Sequence, residues 1–132
     1  MSFTHLALDP ALQRALADAG FDTATPIQQA AIPPLLAGHD VLATARTGAG
    51  KTAAYCLPLL QRHLQPGARR CTLILLPTRE LAQQVGDTLW QLSAHLKRPK
   101  IVVAYGGVSI NPQLLALRGG ADFIVATPGR LL

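Results

Sequence analysis

The chain has 132 residues, enough for one small domain and short for two. Hydrophobic residues make up 49% and charged residues 14%, which excludes a disordered chain, and no apolar run reaches the length of a membrane-spanning helix. Twelve Lys and Arg against seven Asp and Glu give a net charge of +5, which permits a polyanionic partner without requiring one. Cys56 and Cys71 match no metal-ligand spacing and no secretory leader opens the sequence, so reduced thiols, a cytoplasmic location and no membrane contact are the expectation.

The first predicted helix has clear punctuation: Asp9 as N-cap, Pro10 at the first position and Gly20 at the stop, with Leu12, Ala15, Leu16 and Ala19 as its apolar stripe. A second helix starts at once, with Thr25 as cap, Pro26 first and Gln28 third, the arrangement of a capping box. Pro33 and Pro34 are expected to break it and begin a short helix ending near Gly38.

Val41 to Ala43 is an apolar run that reads as a short buried strand, about 41–45. Ala45-Arg46-Thr47-Gly48-Ala49-Gly50-Lys51-Thr52 follows, and Ala53 onward opens a helix running to about Leu64. Strand, glycine-bearing turn and Gly-Lys-Thr at a helix start form the context of a phosphate-binding loop. Gly48 and Gly50 allow positive φ and close approach of backbone N–H groups to an anion, and the helix dipole adds to the attraction. Lys51 suits the β- and γ-phosphates and the Thr52 hydroxyl suits Mg²⁺. Position 45 is Ala where the general motif has Gly, and an ordinary strand-to-helix turn with a solvated Lys is the plain alternative.

Beyond Pro66-Gly67, Cys71 to Leu76 reads as a buried strand, and Pro77-Thr78-Arg79-Glu80 turns into a helix of about 80–96. Ile101 to Tyr105 is the next strand, Gly106-Gly107 a sharp turn, and a short helix lies near Pro112–Leu117. Asp122 to Ala126 is a further strand, after which Thr127-Pro128-Gly129-Arg130 opens a helix. Alternating strands and helices, each strand buried on both faces, predict an α/β fold with a parallel sheet flanked by helices. Ligands of such sheets sit beyond the carboxyl ends of strands, so 45–52, 77–80, 106–107 and 127–130 should share one face.

In this order, Gly20-Phe21 with Thr25-Pro26-Ile27-Gln28, the 45–52 loop, Pro77-Thr78-Arg79-Glu80-Leu81-Ala82, Gly106-Gly107 and Thr127-Pro128-Gly129-Arg130 resemble the motifs of the DEAD-box ATP-dependent RNA helicases. The run at 106–113 looks most like the bacterial RhlE-type subgroup. The resemblance covers the whole chain and implies the N-terminal part of a first RecA-like P-loop domain, truncated, with residues 1–38 as its adenine-recognition segment. It also makes Ala45 ordinary, since Ala is usual there in the family.

The resemblance implies roles that the chemistry supports. Gln28, in the segment 21–28, would read adenine, its carboxamide offering one donor and one acceptor to N6 and N7. Phe21 would stack on the ring and Phe3 would buttress the segment, although core packing explains either Phe without the motif. The 45–52 loop would hold ATP with Mg²⁺, Lys51 and Thr52 acting in catalysis and Thr52 reaching the metal. Pro77, Thr78, Arg79, Glu80, Gly106, Gly107, Thr127, Pro128, Gly129 and Arg130 would grip RNA through phosphates, independent of sequence, on a single strand or a duplex. Pairing of Arg79 with Glu80 or Asp87, and a solvated Arg130, are the bland alternatives. Arg69, Arg70, Lys97, Arg98 and Lys100 read as solvated surface.

The sequence contains no Asp-Glu-Ala-Asp and no Ser-Ala-Thr motif, and with them goes the expectation of turnover by these residues alone. The family's sheet places those strands between the 41–45 strand and the strand at 71–76. Without them 41–45 should stand apart from the other strands, leaving unpaired edges open to self-association. Another P-loop enzyme gives no reason for Gln28 or for Thr127–Arg130; a non-catalytic nucleotide- or RNA-binding module shares the same residues without turnover.

Overall fold

Helix starts written into the sequence as caps are used as such in the computed structural model, which describes residues 2–48, 50–65, 71–106 and 111–131. After a single 3₁₀ turn at Phe3–His5, α1 (Pro10–Asp18) is capped by Asp9, whose Oδ1 accepts the Ala11 N–H at 2.9 Å. Such a cap contributes about 1 kcal/mol. Gly20, at φ +79°, supplies the left-handed residue that ends the helix. In α2 (Pro26–Leu36) the Thr25–Gln28 capping box is complete in both directions.

Pro33 and Pro34 do not break α2, contrary to the sequence expectation. Their fixed φ is compatible with helix, and being adjacent they remove donors from one stretch only. Bonding resumes at once, with the Ala37 N–H donating to Pro33 O at 3.1 Å, and Gly38 at φ +87° makes the stop.

The helix α3 (Lys51–His63) packs on α2 and on α4 (Arg79–Leu92), and α4 lies over two strands of the sheet. That sheet has three parallel strands in the order β1 (Thr72–Leu75), β3 (Phe123–Ala126), β2 (Ile101–Ala104). The short helices α5 (Asn111–Ala116) and α6 (Pro128–Leu131) complete the element order, with α5 against β2. Leu12, Leu16, Ile32, Leu57, Leu89 and Phe123 sit at the centre of the core, each essentially without exposure. Phe3 belongs to the same core, at 3% exposure.

The predicted strand at 41–45 is not a strand. Residues 41–46 run as irregular chain, and among the described residues no backbone hydrogen bond joins 41–44 to the sheet. Leu42 is 95% exposed. A parallel strand takes its hydrogen bonds from lateral neighbours, so an apolar run without one remains irregular whatever its β propensity. The segment stands apart from the other strands, as expected.

Burial on both faces also fails at β1. The register places Leu73 beside Ile124 and Val102, and Leu75 beside Ala126 and Ala104. On this face Val102, Ala104 and Ala126 are buried, while Leu73 and Leu75 at the β1 edge are about half exposed, 48% and 51%. The opposite face, with Ile74, Val125 and Val103, packs against the helices.

Candidate functional site

Three of the long helices carry side-chain caps, from Asp9, Thr25 and Thr78, but α3 has none. Its N-cap is Gly50 at φ +84°, and Gly48 stands at φ +82°. These are the positive-φ glycines that an anion-cradling loop needs, leading into a helix start whose N–H groups no side chain claims. Ala45 and Gly50 are half-buried, whereas Arg46, Thr47 and Gly48 are exposed; Ala49 lies outside the described residues.

Lys51 is exposed and folds back over the loop, Nζ donating to Ala45 O at 2.8 Å. That bond uses one of three ammonium donors and leaves two for other acceptors. Thr52, one residue on, is half-buried. Burial first, then the adjacent Cys56, pushes the Tyr55 phenol up to about 12, and burial does the same to the Cys56 thiol. Both stay neutral near pH 7 and leave Lys51 as the charge at this end of α3.

Gln28 is the joint between the 21–28 segment and the loop. At 1% exposure, its Oε1 accepts the Thr25 N–H at 2.9 Å while its Nε2 donates to Gly50 O at 3.1 Å. The capping box is therefore built, and the same carboxamide also fastens the phosphate loop to α2. One N–H and one acceptor lone pair of the amide are left over by these two bonds, in a side chain closed to solvent. Gly50 is required here twice over: a Cβ would stand 2.5 Å from Gln28 Nε2 and 2.9 Å from Thr25 Oγ1. Phe21 is half-buried against the core, and its N–H donates to Leu16 O at 2.9 Å. A cavity of about 360 Å³ opens beside Lys51, lined by Ile27, Leu35, Val41, Leu42 and Tyr55; neither Phe21 nor Gln28 lines it.

The second group gathers where the three strands end. Because the strands are parallel and in register, Thr78, Tyr105 and Thr127 leave the same end of the sheet. The Thr127 N–H donates to Ala104 O at 3.0 Å and the Leu76 N–H to Ala126 O at 2.9 Å, holding the three exits side by side. Pro77 and Thr78 are exposed; Thr78 Oγ1 caps α4 by accepting the Leu81 N–H at 3.2 Å. Arg79 pairs with Glu80, Nε to Oε1 at 3.1 Å, which is one of the two alternatives raised by the sequence. The other is not formed among the described residues, where Asp87 accepts from Gln83 at 2.9 Å. Glu80's own backbone N–H, then Arg79, hold its carboxyl below the usual carboxylate range; both side chains are exposed, so the pair contributes little to stability.

Gln113 was not singled out by sequence reasoning. Its Nε2 donates to Tyr105 O at 3.0 Å, and its Oε1 accepts from Arg130 Nη1 at 3.4 Å, so α5 ties the end of β2 to α6. An amide on a short helix carries no signal in the sequence; only the packing of α5 on β2 reveals it. Gly106 has open space about it and Pro128 and Gly129 are exposed, while Gly107 lies outside the described residues. The structure thus assembles two groups: Gln28 with the 45–52 loop, and the 77–80, 105–106 and 127–130 turns.

The fold and the first group define a phosphate-loop nucleotide-binding domain of the α/β class. The DEAD/DEAH box helicase family profile matches residues 25–132, and the chain belongs to that family. It is 47% identical over 132 residues to the ATP-dependent RNA helicase DeaD of Escherichia coli K12, a match covering 99% of this chain and 21% of that protein. The RNA helicase CrhR of a Synechocystis strain is also 47% identical, over 131 residues, with 99% of this chain and 26% of that protein covered. A crystal structure of a DEAD box protein from Methanococcus jannaschii superposes with a TM-score of 0.88 at 41% identity, over all of this chain and 36% of that one. That of the RNA helicase Prp28 from Chaetomium thermophilum bound to ADP gives 0.87, at 41% identity over 98% of this chain and 33% of that one. The chain thus spans about a fifth to a quarter of the length of these curated relatives. The family match assigns no subgroup, and residues 107–110 of the RhlE-like run lie outside the described residues.

Proposed function

We propose that this chain supplies the ATP-binding and RNA-contacting part of an ATP-dependent RNA helicase, an enzyme that remodels RNA duplexes through ATP hydrolysis. The observation that carries the reading is the Gln28 carboxamide bonded to the Gly50 carbonyl, which joins the adenine-recognition segment (within 1–38) to the phosphate loop in one site. The two free donors of Lys51 and the uncapped start of α3 receive the phosphates. Phe21 stacks on the base, and the remaining N–H and lone pair of Gln28 read its edge. Prp28, a relative at this level of identity, was crystallised bound to ADP.

Mg²⁺ fits as a cation that arrives with the nucleotide. Among the described residues no group of three His, Cys, Asp or Glu is placed to hold a metal, so the Thr52 hydroxyl would share the ion with phosphate oxygens. When bound, the ion neutralises charge developing on the phosphates. Lys51 and Thr52 position them.

The strand-end turns bind RNA phosphates, with Thr78, Arg79, Thr127 and Arg130 as donors and no group placed to read base edges. Binding is therefore independent of sequence, and the site is read as cytoplasmic. The half-exposed Leu73 and Leu75 on the free edge of β1 favour self-association of this chain, which sedimentation at rising concentration tests directly. Arg130→Ala should weaken single-stranded RNA of several sequences about equally and flatten the salt dependence of binding. A loss confined to one sequence would show that Arg130 reads bases and would overturn its assignment.

A further inference from the structure

Trp90 is the only tryptophan of the chain and stands on the exposed side of α4 at 54% exposure. The Arg98 guanidinium lies 3.5 Å from the centroid of its ring. Such a stack fixes the planes of both groups. Lys97 and Lys100 flank Arg98 and are exposed, and Lys100 Nζ reaches Arg118 O at 2.6 Å, drawing the loop after α5 into the same patch. The neighbouring acids are already engaged. Asp122 accepts the Lys100 N–H at 2.7 Å, Asp18 pairs with His95, and Asp87 on α4 accepts from Gln83. The patch is thus a pair of stacked planes, one of them the Arg98 guanidinium, flanked by two lysines.

Its place on α4 links it to the strand-end turns. At 100° per residue, Trp90 falls within about 40° of Arg79 and Gln83 on the helix wheel, so all three share one exposed side. Eleven residues at 1.5 Å each separate Arg79 from Trp90, a run of about 16 Å. Single strands of nucleic acid bind where a cationic track meets aromatic or guanidinium planes on which bases stack. Solvated lysines alone would not need the tryptophan.

We propose that Trp90 and Arg98, with Lys97 and Lys100, form a second contact for single-stranded RNA, lying along α4 from the turn at 77–80. A base stacks on the Trp90–Arg98 pair, and the two lysines take phosphates. The choice of RNA as ligand rests on the function proposed above, but the site stands on separate residues and is tested separately.

Because Trp90 is the sole tryptophan, its emission reports this patch alone. A single-stranded oligouridylate, fluorescein-labelled at one end, is titrated into the chain at fixed protein concentration, and anisotropy and Trp90 emission are read together. The expected result is saturable quenching whose midpoint weakens about tenfold in Arg98→Ala, with Arg98→Lys close to Ala because it keeps the charge and loses the plane. Arg130→Ala should weaken the anisotropy midpoint and leave the quenching at saturation intact. If Arg130→Ala changes nothing while quenching persists, the strand-end reading falls and this site stands. Binding by anisotropy with unchanged Trp90 emission overturns the proposal, as does full retention of the midpoint in Arg98→Lys. Equal quenching by polyglutamate also overturns it, since the patch would then be a contact for acidic protein. No binding of any RNA overturns both readings.

Discussion

At the scale of single residues, the pair Gln28–Gly50 carries more than its sequence context suggests. Gln28 was legible as a cap, because Thr25-Pro26-Ile27-Gln28 is a local pattern. Its bond to Gly50 spans 22 residues and could not be read from spacing. Gly50→Ala meets two costs, a left-handed φ unfavourable to any Cβ and a 2.5 Å approach to Gln28 Nε2. In the wild-type background it should destabilise by roughly 2–3 kcal/mol. In a Gln28→Ala background the approach to Gln28 is gone, while the backbone cost of about 1–2 kcal/mol and the 2.9 Å approach to Thr25 Oγ1 remain. Denaturation of the two single variants and the double variant should therefore show a coupling of about 1 kcal/mol. Additive losses would mean that the two residues do not touch. Trp90 and Gln113 were invisible for a related reason, since each acts through a partner outside its own segment.

At the scale of elements, helices were more legible than strands. Caps and glycine stops are local, so α1, α2 and α4 begin where Asp9, Thr25 and Thr78 stand. The 41–45 run shows the limit, because strand formation depends on a neighbour that no window of sequence contains. Gly86 shows the same dependence inside α4. A Cβ there would lie 2.6 Å from Val103 Cγ2, so the absent side chain sets how closely α4 rests on β2. Alanine would raise helix propensity by about 1 kcal/mol, yet overpacking costs about 1–3 kcal/mol and should win. Urea denaturation should place Gly86→Ala below wild type, and a Gly86→Ala, Val103→Ala double variant should regain part of the gap opened by the collision. A stabilised Gly86→Ala single variant would mean that the helix rides further from the sheet.

At the scale of the whole molecule, the parallel sheet sorts function by position. The turns at 77–80, 105–106 and 127–130 gather at the carboxyl ends of β1, β2 and β3, and the 45–52 loop is held to α2 instead, through Gln28. The sequence made the gathering legible because each special turn follows an apolar run. It did not show that the loop's own apolar run would be irregular chain rather than a strand, or that β1 would keep one face half-exposed. The loop still acquires its positive-φ glycines and uncapped helix start, because these depend on Gly48, Gly50 and α3 rather than on the lateral pairing of 41–45.

Isothermal titration of the chain with ATP and with GTP, repeated on Lys51→Ala, tests the nucleotide site most directly. ATP should bind and GTP should bind at least about tenfold more weakly, because guanine puts a 6-keto acceptor where the N6 amino group of adenine donates to the Gln28 carboxamide oxygen. Lys51→Ala should abolish the heat of ATP binding while its circular dichroism stays unchanged, since the exposed Lys51 contributes nothing to the core. GTP bound as tightly as ATP, or undiminished ATP binding by Lys51→Ala, would contradict the account.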